Sequence, residues 1–356
     1  MKILQVMAGA QHGGAETAFV DMCMALHEAG EQVEVVTRPN PLRVTQMEKA
    51  GLKIHELRFG GVLDIATPLR MKKIIAAFQP HIVQTWMSRA AQKTPAWKAD
   101  MGIPRYLVVS RLGGYYKVGH FRHSDYFTTI TPAIRQFLID EDIAPDRVRH
   151  INNFAETEEA DRSVRRASLQ TPEDAQVLLA LSRLHNSKAL DVVIDALPEL
   201  PGVYFWIAGE GPLRAKLEKR AKDSGVADRV RFLGWREDRA TLLQAADICV
   251  FPSRYEPFGT VFVQAWAQKT PLIVAGADGP KQFVRDGEDG LIFPVDDVAA
   301  FAGAVRRLTD DPGLAARMVE KGYRRYINEF TKEQTVAAYL SFYHDILQRE
   351  RLVSVV

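Results

Sequence analysis

The sequence predicts an α/β protein made of two doubly wound parallel sheets, and three observations support this prediction. Strand-like apolar runs alternate with amphipathic helical segments along the whole chain, which is typical of parallel sheets covered by helices. The chain has 356 residues, more than one hydrophobic core usually organises. Residues 154–175 lack apolar periodicity and are rich in charge, so we expect them to link two domains.

The strand predictions come from short apolar runs bounded by turn residues. In the first half these runs are KILQVMA, QVEVVT, HIVQTW, RYLVVS and VRHIN, with helical stretches such as TAFVDMCMALHEAG between them. In the second half they are AQVLLALS, VYFWIAG, RVRFLG, DICVFPS, PLIVAG and GLIFPV. The segment from Thr331 to Leu352 predicts a long helix. We therefore expect domains at residues 1–160 and 161–330.

Composition indicates a soluble globular protein, and the cysteines favour a cytoplasmic one. Apolar residues make up 47% and charged residues 25%, the ordinary balance of such proteins. No apolar run approaches the length that spans a bilayer, and the opening MKILQVMA is too short for a signal peptide, so we expect neither a membrane span nor a leader. Cys23 and Cys249 lie far apart in apolar segments, so we expect buried, reduced thiols and neither a disulfide nor a metal site.

The net charge of +2 hides a strongly basic stretch at residues 70–122, which holds ten Lys or Arg and one acid, Asp100. A solvated positive face would explain this charge. An anionic acceptor, or an anionic membrane surface that the protein contacts peripherally, is the functional interpretation. Nucleic acid is not expected, because no recognised binding motif accompanies the charge.

The turn after the first strand, AGAQHGGAET (8–17), predicts an anion site. Gly13 and Gly14 would let backbone amides approach a ligand, and the next helix presents its positive N-terminal end. A merely structural Gly-Gly turn is the alternative. The spacing is not that of the dinucleotide motif G-x-G-x-x-G, and the second strand ends in Thr37-Arg38 without a ribose-binding acid, so a nicotinamide enzyme is disfavoured.

Two loops of the second half carry cations and glycines where strands end. Arg183 and Lys188 follow the run AQVLLALS, and a guanidinium with an ammonium there suits a diphosphate, although such residues are commonly plain surface residues. Gly209, the last residue of the run VYFWIAG, would permit close approach of the backbone to a ligand. Trp235 and Arg236 follow RVRFLG, where they either border a nucleobase or, for Trp235, pack in the domain core.

The stretch RYEPFGTVFVQAW (254–266) predicts a carboxylate just before a helix. Glu256 would accept hydrogen bonds from sugar hydroxyls, and the amides of Gly259 and Thr260 at the helix start would bind phosphate or sugar oxygens. Gln264 would lie on the same face of that helix. These loops all follow strand ends, where open parallel sheets bind ligands.

Several ordered motifs together resemble one family. GGAE, LSRL…SK, IAGEGP, FLGW, ICVFPSRYEPFG and GLIFPVDD occur in the order typical of the retaining GT-B glycosyltransferases, in the large family (family four) that includes lipopolysaccharide-core and phosphatidylinositol sugar transferases. The likeness covers essentially the full length and is strongest from about residue 177 to residue 300. It implies two domains facing across a cleft, with the helix at 331–356 packed back on the first, acceptor-binding domain.

The resemblance also implies roles for individual residues. Arg183 and Lys188 would hold the donor phosphates, and Glu256 would contact the transferred sugar. Gln264 occupies the place of the glutamate that usually bonds the ribose. The remaining donor-side residues are Gly13, Gly14, Gly209, Trp235, Arg236, Phe258, Gly259 and Thr260, of which Phe258, Gly259 and Thr260 would supply main-chain contacts.

On the acceptor side the chain departs from the family pattern. The family often has a histidine in the loop where this chain reads SRLGGYYK (110–117). That loop resembles the acceptor loop of some lipopolysaccharide-core transferases. The candidate acceptor residues are Arg111, Tyr115, Lys117 and His120.

The predicted activity is a retaining, metal-independent hexosyl transfer from a nucleotide sugar to a glycolipid, lipopolysaccharide-core or other oligosaccharide acceptor. UDP-glucose, UDP-N-acetylglucosamine and GDP-mannose all fit, and no further cofactor is expected. Two carboxylates about 5 Å apart would indicate double displacement, but only Glu256 is convincing here. The alternative is a catalytically degenerate nucleotide-sugar-binding protein in which Gln264 marks lost activity.

Overall fold

The computed structural model describes the chain except at residues 12, 62, 156–158, 162–165 and 353–356. The chain divides into two compact units. The first comprises Met1–Phe154 with Lys332–Val356, and the second comprises Ala155–Thr331. Each unit has its own parallel sheet and hydrophobic core.

Among its described residues the first unit has seven strands in the order β3-β2-β1-β4-β5-β6-β7. They are β1 (Lys2–Met7), β2 (Gln32–Thr37), β3 (Lys53–Glu56), β4 (Ile82–Trp86), β5 (Leu107–Leu112), β6 (Tyr126–Thr129) and β7 (Val148–His150). Its helices are α1 (Gly14–Glu28), α2 (Pro41–Lys49), α3 (Ala66–Phe78), α4 (Met87–Lys93), α5 (Pro132–Asp140) and, at the end of the chain, α12 (Lys332–Arg349). Every strand pair is parallel.

Among its described residues the second unit has six parallel strands in the order β10-β9-β8-β11-β12-β13. They are β8 (Gln176–Leu181), β9 (Val203–Ala208), β10 (Val230–Gly234), β11 (Ile248–Phe251), β12 (Leu272–Ala275) and β13 (Leu291–Phe293). Its helices are α6 (Leu190–Ala196), α7 (Arg214–Asp223), α8 (Arg239–Ala245), α9 (Val261–Ala267), α10 (Val298–Asp310) and α11 (Pro312–Arg325), followed by a π-helical turn at Tyr326–Phe330.

All eleven predicted strands are present, and the structure adds β3 and β6. The edge strand β3 is short and only partly buried, so it lacks the apolar run that marks a strand. β6 reads YFTT and is fully buried, but half of its residues are threonines. Neither segment shows the apolar pattern on which the strand predictions rest.

The predicted linker at 154–175 lies partly outside the described residues, at 156–158 and 162–165. Its later part is fixed to the second unit through Arg166. The Arg166 guanidinium donates to Asp247 Oδ1 at 2.9 Å and to the Ala245 carbonyl oxygen at 2.9 Å. The first predicted domain reaches residue 160, whereas the division between the units falls after Phe154.

The helix α12 packs into the first unit, where the resemblance placed it. Its side chains Val336, Tyr339 and Phe342 belong to a core cluster that also contains residues of α1 and of the central strands. The buried Tyr343 hydroxyl donates to Gln84 Oε1 on β4. At the end of the helix, Glu350 pairs with Arg105 at 2.8 Å, so both apolar burial and polar contacts fix α12.

Both cysteines are buried, as predicted from their apolar surroundings in the sequence. Cys23 and Cys249 are buried and unpaired, and burial raises the pKa of Cys249 to about 12, so this thiol is not ionised at neutral pH. Among the described helices, none combines the length and the apolar character that crossing a membrane requires.

Candidate functional site

In the second unit, two of the predicted donor-binding residues, Lys188 and Glu256, meet where the strand order reverses. The first strand of this unit, β8, lies between β9 and β11, so the connections that leave β8 and β11 run to opposite sides and open a crevice at the carboxyl edge. Lys188 follows β8, and Glu256 follows β11. Topology therefore brings together two residues that are 68 positions apart in sequence.

Lys188 and Glu256 form an ion pair at this edge, between Lys188 Nζ and Glu256 Oε2. Each side chain is 16% exposed, and the Lys188 ammonium lies 5.8 Å from the ring centre of Phe251. Partial burial strengthens the attraction relative to a surface pair. A phosphate that bound the Lys188 ammonium here would compete with the Glu256 carboxylate. A sugar hydroxyl that bound the Glu256 carboxylate would compete with the Lys188 ammonium.

Arg254 fixes the two loops that carry this pair, and sequence reasoning did not single it out. Its backbone N–H donates to the Ser187 carbonyl oxygen at 2.9 Å, and its Nη1 donates to the Asn186 carbonyl oxygen at 2.7 Å. Because Asn186–Lys188 form one short 3₁₀ turn, these bonds set the position of Lys188 relative to the segment that leads to Glu256.

The Arg254 guanidinium is itself held by two carboxylates. It donates to Asp191 at 3.1 and 2.7 Å and pairs with Asp296 at 2.6 Å. Burial raises the pKa of Asp191, but the hydrogen bonds and the charge of Arg254 lower it by more, so the net pKa is below its usual value. Asp191 is therefore ionised at neutral pH and keeps Arg254 in place.

Two glycines around Glu256 are required by close packing. Gly259 has φ +79°, and a Cβ there would lie 2.4 Å from Phe251 Cζ. The Gly279 N–H donates to the Glu256 carbonyl oxygen at 2.9 Å, and a Cβ at Gly279 would lie 2.4 Å from the same oxygen. The segment of Glu256 is thus held between β11 and the loop after β12, as the glycine-rich sequence suggests.

The glycine turn after β9 packs against the loop of Arg183. A Cβ at Gly209 would lie 1.9 Å from the Ser182 carbonyl oxygen, and one at Gly211 would lie 2.5 Å from the Leu184 carbonyl oxygen. These glycines therefore fix the backbone on both sides of Arg183. The Arg183 side chain is exposed and, within the described part of the chain, makes no ion pair.

The structure rules out the interpretation of Trp235 as a core residue. This residue is 72% exposed, so it does not pack in the domain core. Next to it, the Arg236 guanidinium donates to both oxygens of Asp238, at 2.8 and 2.5 Å. The Arg236 guanidinium is thereby bound to Asp238. The exposed indole of Trp235 can stack on a planar ligand.

The residues after Glu256 differ in what they offer a ligand. Phe258 is 2% exposed, and its ring lies 5.2 Å from Phe262 and 4.9 Å from Phe283. It can therefore reach a ligand only through its main chain, which is the role that the resemblance implies. Thr260 directly precedes α9, and Gln264 lies inside that helix and is 6% exposed.

In the first unit, the glycine pair after β1 has one tightly packed and one open member. A Cβ at Gly13 would lie 2.4 Å from Glu16 Oε2, and Glu16 Oε1 accepts a hydrogen bond from the Ala10 N–H at 2.7 Å. Gly14 is exposed, and among the described residues no other segment lies within 4 Å of a Cβ there. Only the end of the flexible Glu16 side chain would meet a Cβ at Gly13, so packing does not by itself require glycine there, and Gly14 leaves room beside the start of α1.

Residues after β2 hold the carbonyl groups of the same loop. Arg43 Nη1 donates to the Ala10 carbonyl oxygen at 3.1 Å, and Asn40 Nδ2 donates to the Gln11 carbonyl oxygen at 3.0 Å. Arg38 Nη1 donates to the Gly9 carbonyl oxygen at 3.4 Å. A partial signal for this was visible in the sequence, because the basic residue Arg38 directly follows β2, where a dinucleotide-binding protein has an acid.

The four candidate acceptor residues have different surroundings. Arg111 is 2% exposed; its guanidinium lies 4.0 Å from the Trp86 ring centre and donates to Asn153 Oδ1 at 2.6 Å. Burial lowers the pKa of Arg111, and its interactions with Tyr339 oppose that effect. The structure therefore gives Arg111 an internal packing role in place of direct acceptor contact.

The other three acceptor candidates are accessible. Tyr115 is 50% exposed, with its ring 5.4 Å from that of Phe137, and Lys117 is exposed. His120 is partly exposed, and its Nδ1 contacts Gln92 Nε2. These three residues remain candidates for contact with an acceptor. Across the described residues, no group of three or more His, Cys, Asp or Glu is arranged to hold a metal ion.

Comparison with known proteins gives matches over nearly the whole chain. The family model described as Glycosyltransferase Family 4 matches residues 12–159, and the one described as Glycosyl transferases group 1 matches residues 161–325. The lipopolysaccharide core biosynthesis glycosyltransferase LpsE of Rhizobium meliloti (strain 1021) is 36% identical over 343 residues, which are 96% of this chain and 98% of LpsE.

Solved structures match the fold at low sequence identity. A glycosyltransferase from Rickettsia africae ESF-5 has a TM-score of 0.83 at 17% identity, covering 97% of this chain and 98% of its own. Anabaena Alr3699/HepE in complex with UDP and glucose has a TM-score of 0.79 at 21% identity, covering 99% and 100%. The predicted GT-B fold, with two doubly wound parallel-sheet domains, is confirmed.

Arg254 provides a direct test of how the pair at the β8–β11 edge is positioned. We expect Arg254→Met to weaken binding of UDP or GDP, whichever the wild type binds, by about tenfold, or about 1.4 kcal/mol, because the turn of Lys188 loses its anchor. Isothermal titration calorimetry measures this change.

Arg220→Met is the matched control for this substitution. Arg220 also pairs with a carboxylate of α6, Asp195, through both of its oxygens. Among the described residues its hydrogen bonds go to Asp195, and its charge affects Asp191 less than Asp195. Its loss should lower the melting temperature without changing nucleotide affinity. Equal affinity losses in both variants would show that Arg254 acts only through overall stability.

Proposed function

Because the chain belongs to the glycosyltransferase family of LpsE and of the group 1 and family 4 models, we propose that it transfers a hexose from a nucleoside diphosphate sugar to a hydroxyl of a lipopolysaccharide-core or other glycolipid acceptor, with retention of configuration. The transfer needs no metal ion and no further cofactor. The acceptor is bound at an anionic membrane surface.

The observation that carries this proposal is the Lys188–Glu256 pair at the strand-order reversal of the second unit. One partner suits a phosphate and the other suits sugar hydroxyls, so together they match the two halves of a nucleotide sugar on either side of the bond that breaks. The exposed Arg183 adds a second cation in the same loop, and the exposed Trp235 offers a stacking surface for a base.

In the proposed mechanism the acceptor hydroxyl attacks the sugar carbon on the same face from which the diphosphate leaves. The C–O bond to the leaving phosphate breaks, the C–O bond to the acceptor forms, and the departing phosphate oxygen takes the acceptor proton. Lys188, Arg183 and the amides around Gly259 stabilise the negative charge that grows on that phosphate. Glu256 orients the sugar through its hydroxyls and forms no covalent intermediate.

The donor is best identified with a thermal-shift panel of UDP-glucose, UDP-N-acetylglucosamine and GDP-mannose. A ligand at 100 times its dissociation constant adds about 2.7 kcal/mol of stability, so the true donor should stand out from the others. UDP-glucose is the first to test, since the matching Anabaena structure contains UDP and glucose. A panel without any stabilisation would refute nucleotide-sugar binding.

Metal removal tests the proposed charge stabilisation. Because Lys188 and Arg183 supply the positive charge, transfer should continue at its full rate in EDTA. The rate of nucleoside diphosphate release in the presence of acceptor measures this. Activity that disappears in EDTA and returns with Mg²⁺ or Mn²⁺ would contradict metal independence.

Substitution of either partner of the ion pair should affect binding and turnover differently. Lys188→Ala should lower turnover by about a hundredfold, the scale seen when one stabiliser of transition-state charge is removed, and should also weaken nucleoside diphosphate binding. Glu256→Gln should abolish most transfer and yet strengthen binding of the free nucleoside diphosphate by about two- to fivefold, because Lys188 no longer has a competing carboxylate. Steady-state rates and calorimetric titration separate these effects.

The double variant Lys188→Ala with Glu256→Gln serves as the control. If Glu256 acts on the nucleotide through Lys188, the gain in affinity from Glu256→Gln should vanish once the ammonium is gone. A gain that persists in the double variant would mean that the carboxylate repels the phosphates directly.

Substitution of Gln264 distinguishes the hypothesis of an active enzyme from that of a degenerate binding protein. An amide oxygen accepts a hydrogen bond from a ribose hydroxyl as a carboxylate does, though without the charge-assisted share. Ribose contacts are far from the reacting carbon, so they affect donor affinity more than turnover. Gln264→Glu should therefore stay within a few-fold of wild-type turnover. An inert wild type that Gln264→Glu makes active would favour the binding protein.

A further inference from the structure

The structure divides the ten cations of the basic stretch into groups with different surroundings. Arg111 is buried, and Arg105 pairs with Glu350. In contrast, three exposed cations lie close together on one helix, α3, and pair with no acid in the described part of the chain: Arg70, Lys72 and Lys73. The sequence of α3, ATPLRMKKIIAAF, contains no acid, so this face of the first unit is locally positive.

Three large apolar side chains adjoin these cations, and we call them the apolar tip. They are Leu63, which is 92% exposed, Ile65, which is 75% exposed, and Leu69, which is 57% exposed. Ile65 directly precedes α3 and Leu69 lies one turn later, so the two share a face. Single exposed apolar residues are ordinary, but adjacent ones beside a cluster of cations are typical of a binding surface.

The loop that carries the apolar tip is held in place by polar contacts from α4. Lys93 Nζ donates to the carbonyl oxygens of Gly61 and Asp64 at 2.9 and 2.8 Å, and Arg89 donates to the Gly60 carbonyl oxygen at 2.9 Å. These two cations of the basic stretch are therefore structural. They hold the carbonyl groups of Gly60, Gly61 and Asp64, so the neighbouring Leu63 and Ile65 are exposed on a supported segment.

Asp64 fixes the other end of the loop to the helix. Its carboxylate accepts hydrogen bonds from the Gly60 N–H at 2.7 Å and the Thr67 N–H at 3.0 Å. Hydrogen bonds from Thr67 and then from Gly60 lower the pKa of Asp64 to about 2. This acid next to the apolar tip is thus engaged with backbone amides and remains an anion that caps the first turn of α3.

We infer that the apolar tip inserts into an anionic lipid bilayer, with Arg70, Lys72 and Lys73 on the lipid headgroups. Apolar side chains beside a basic helical face are the arrangement by which helices bind at the membrane interface, and anionic headgroups attract nearby Lys and Arg. This inference rests on the proposed function, because it names the surface by which the acceptor-binding unit reaches a lipid-anchored acceptor.

Vesicle flotation of the full chain tests the inference, with vesicles of phosphatidylglycerol and phosphatidylcholine or of phosphatidylcholine alone. The wild type should float with the anionic vesicles only. Lys72→Gln with Lys73→Gln should weaken that binding by about thirtyfold, from about 1 kcal/mol per cation, and should reduce its dependence on salt. Leu63→Ser with Ile65→Ser should weaken binding at least tenfold at every salt concentration.

Ile327→Ser with Val295→Ser is the matched control, since both residues are exposed apolar side chains of the second unit, at 42% and 39%. This control should float like the wild type. Leu63→Trp tests insertion directly and does not rely on a variant that loses vesicle binding. The fluorescence of the new tryptophan should shift to shorter wavelength with anionic vesicles and be quenched by brominated lipid.

Three results would overturn the inference. The first is flotation of the Leu63→Ser, Ile65→Ser variant at wild-type strength, and the second is equal binding of the wild type to phosphatidylcholine alone. The third is self-association of the wild type that the same variant abolishes, because this surface would then be an interface between two copies. Thermal shift with the donor, measured on the same preparations, keeps the two proposals apart. A variant that loses flotation but keeps the shift supports the inference, and a wild type that floats without any nucleotide shift refutes only the donor assignment.

Discussion

The guanidinium of Arg254 connects the two loops on which the candidate donor site depends. Lys188 and Glu256 lie in loops that follow two different strands, β8 and β11, and form an ion pair across them. Arg254 binds the turn before Lys188 through two carbonyl oxygens and is held by Asp191 and Asp296. A planar, permanently charged fork suits this task, because it satisfies several acceptors in fixed directions at once.

Close backbone packing supplies the second constraint on this site. Gly209 and Gly279 sit where a Cβ would collide with a carbonyl oxygen of a neighbouring loop. Contacts of this kind leave little freedom to the loops between β8, β9, β11 and β12. A site that stabilises a developing charge benefits from such rigidity, because its groups need not reorganise during the reaction.

Cations of the basic stretch at residues 70–122 have two different roles in the first unit. Arg89 and Lys93 bind backbone carbonyl oxygens and hold a loop, whereas Lys72 and Lys73 on α3 remain exposed. A count of charges along the chain does not separate these roles, since both groups are Lys or Arg in the same stretch of sequence. The separation matters because only an exposed cation is available to an anionic partner.

The sequence by itself determined the alternation of strands and helices, the two doubly wound sheets and the loops in which Lys188 and Glu256 lie, because periodicity and glycine placement are local properties of the chain. It missed β3 and β6, which lack an apolar run. Only the tertiary structure decided that Lys188 pairs with Glu256, that Trp235 is exposed and that Arg111 is buried against Trp86. It also revealed Arg254 as the anchor. These facts depend on which strands become neighbours, and strand order is fixed by packing between segments far apart in sequence.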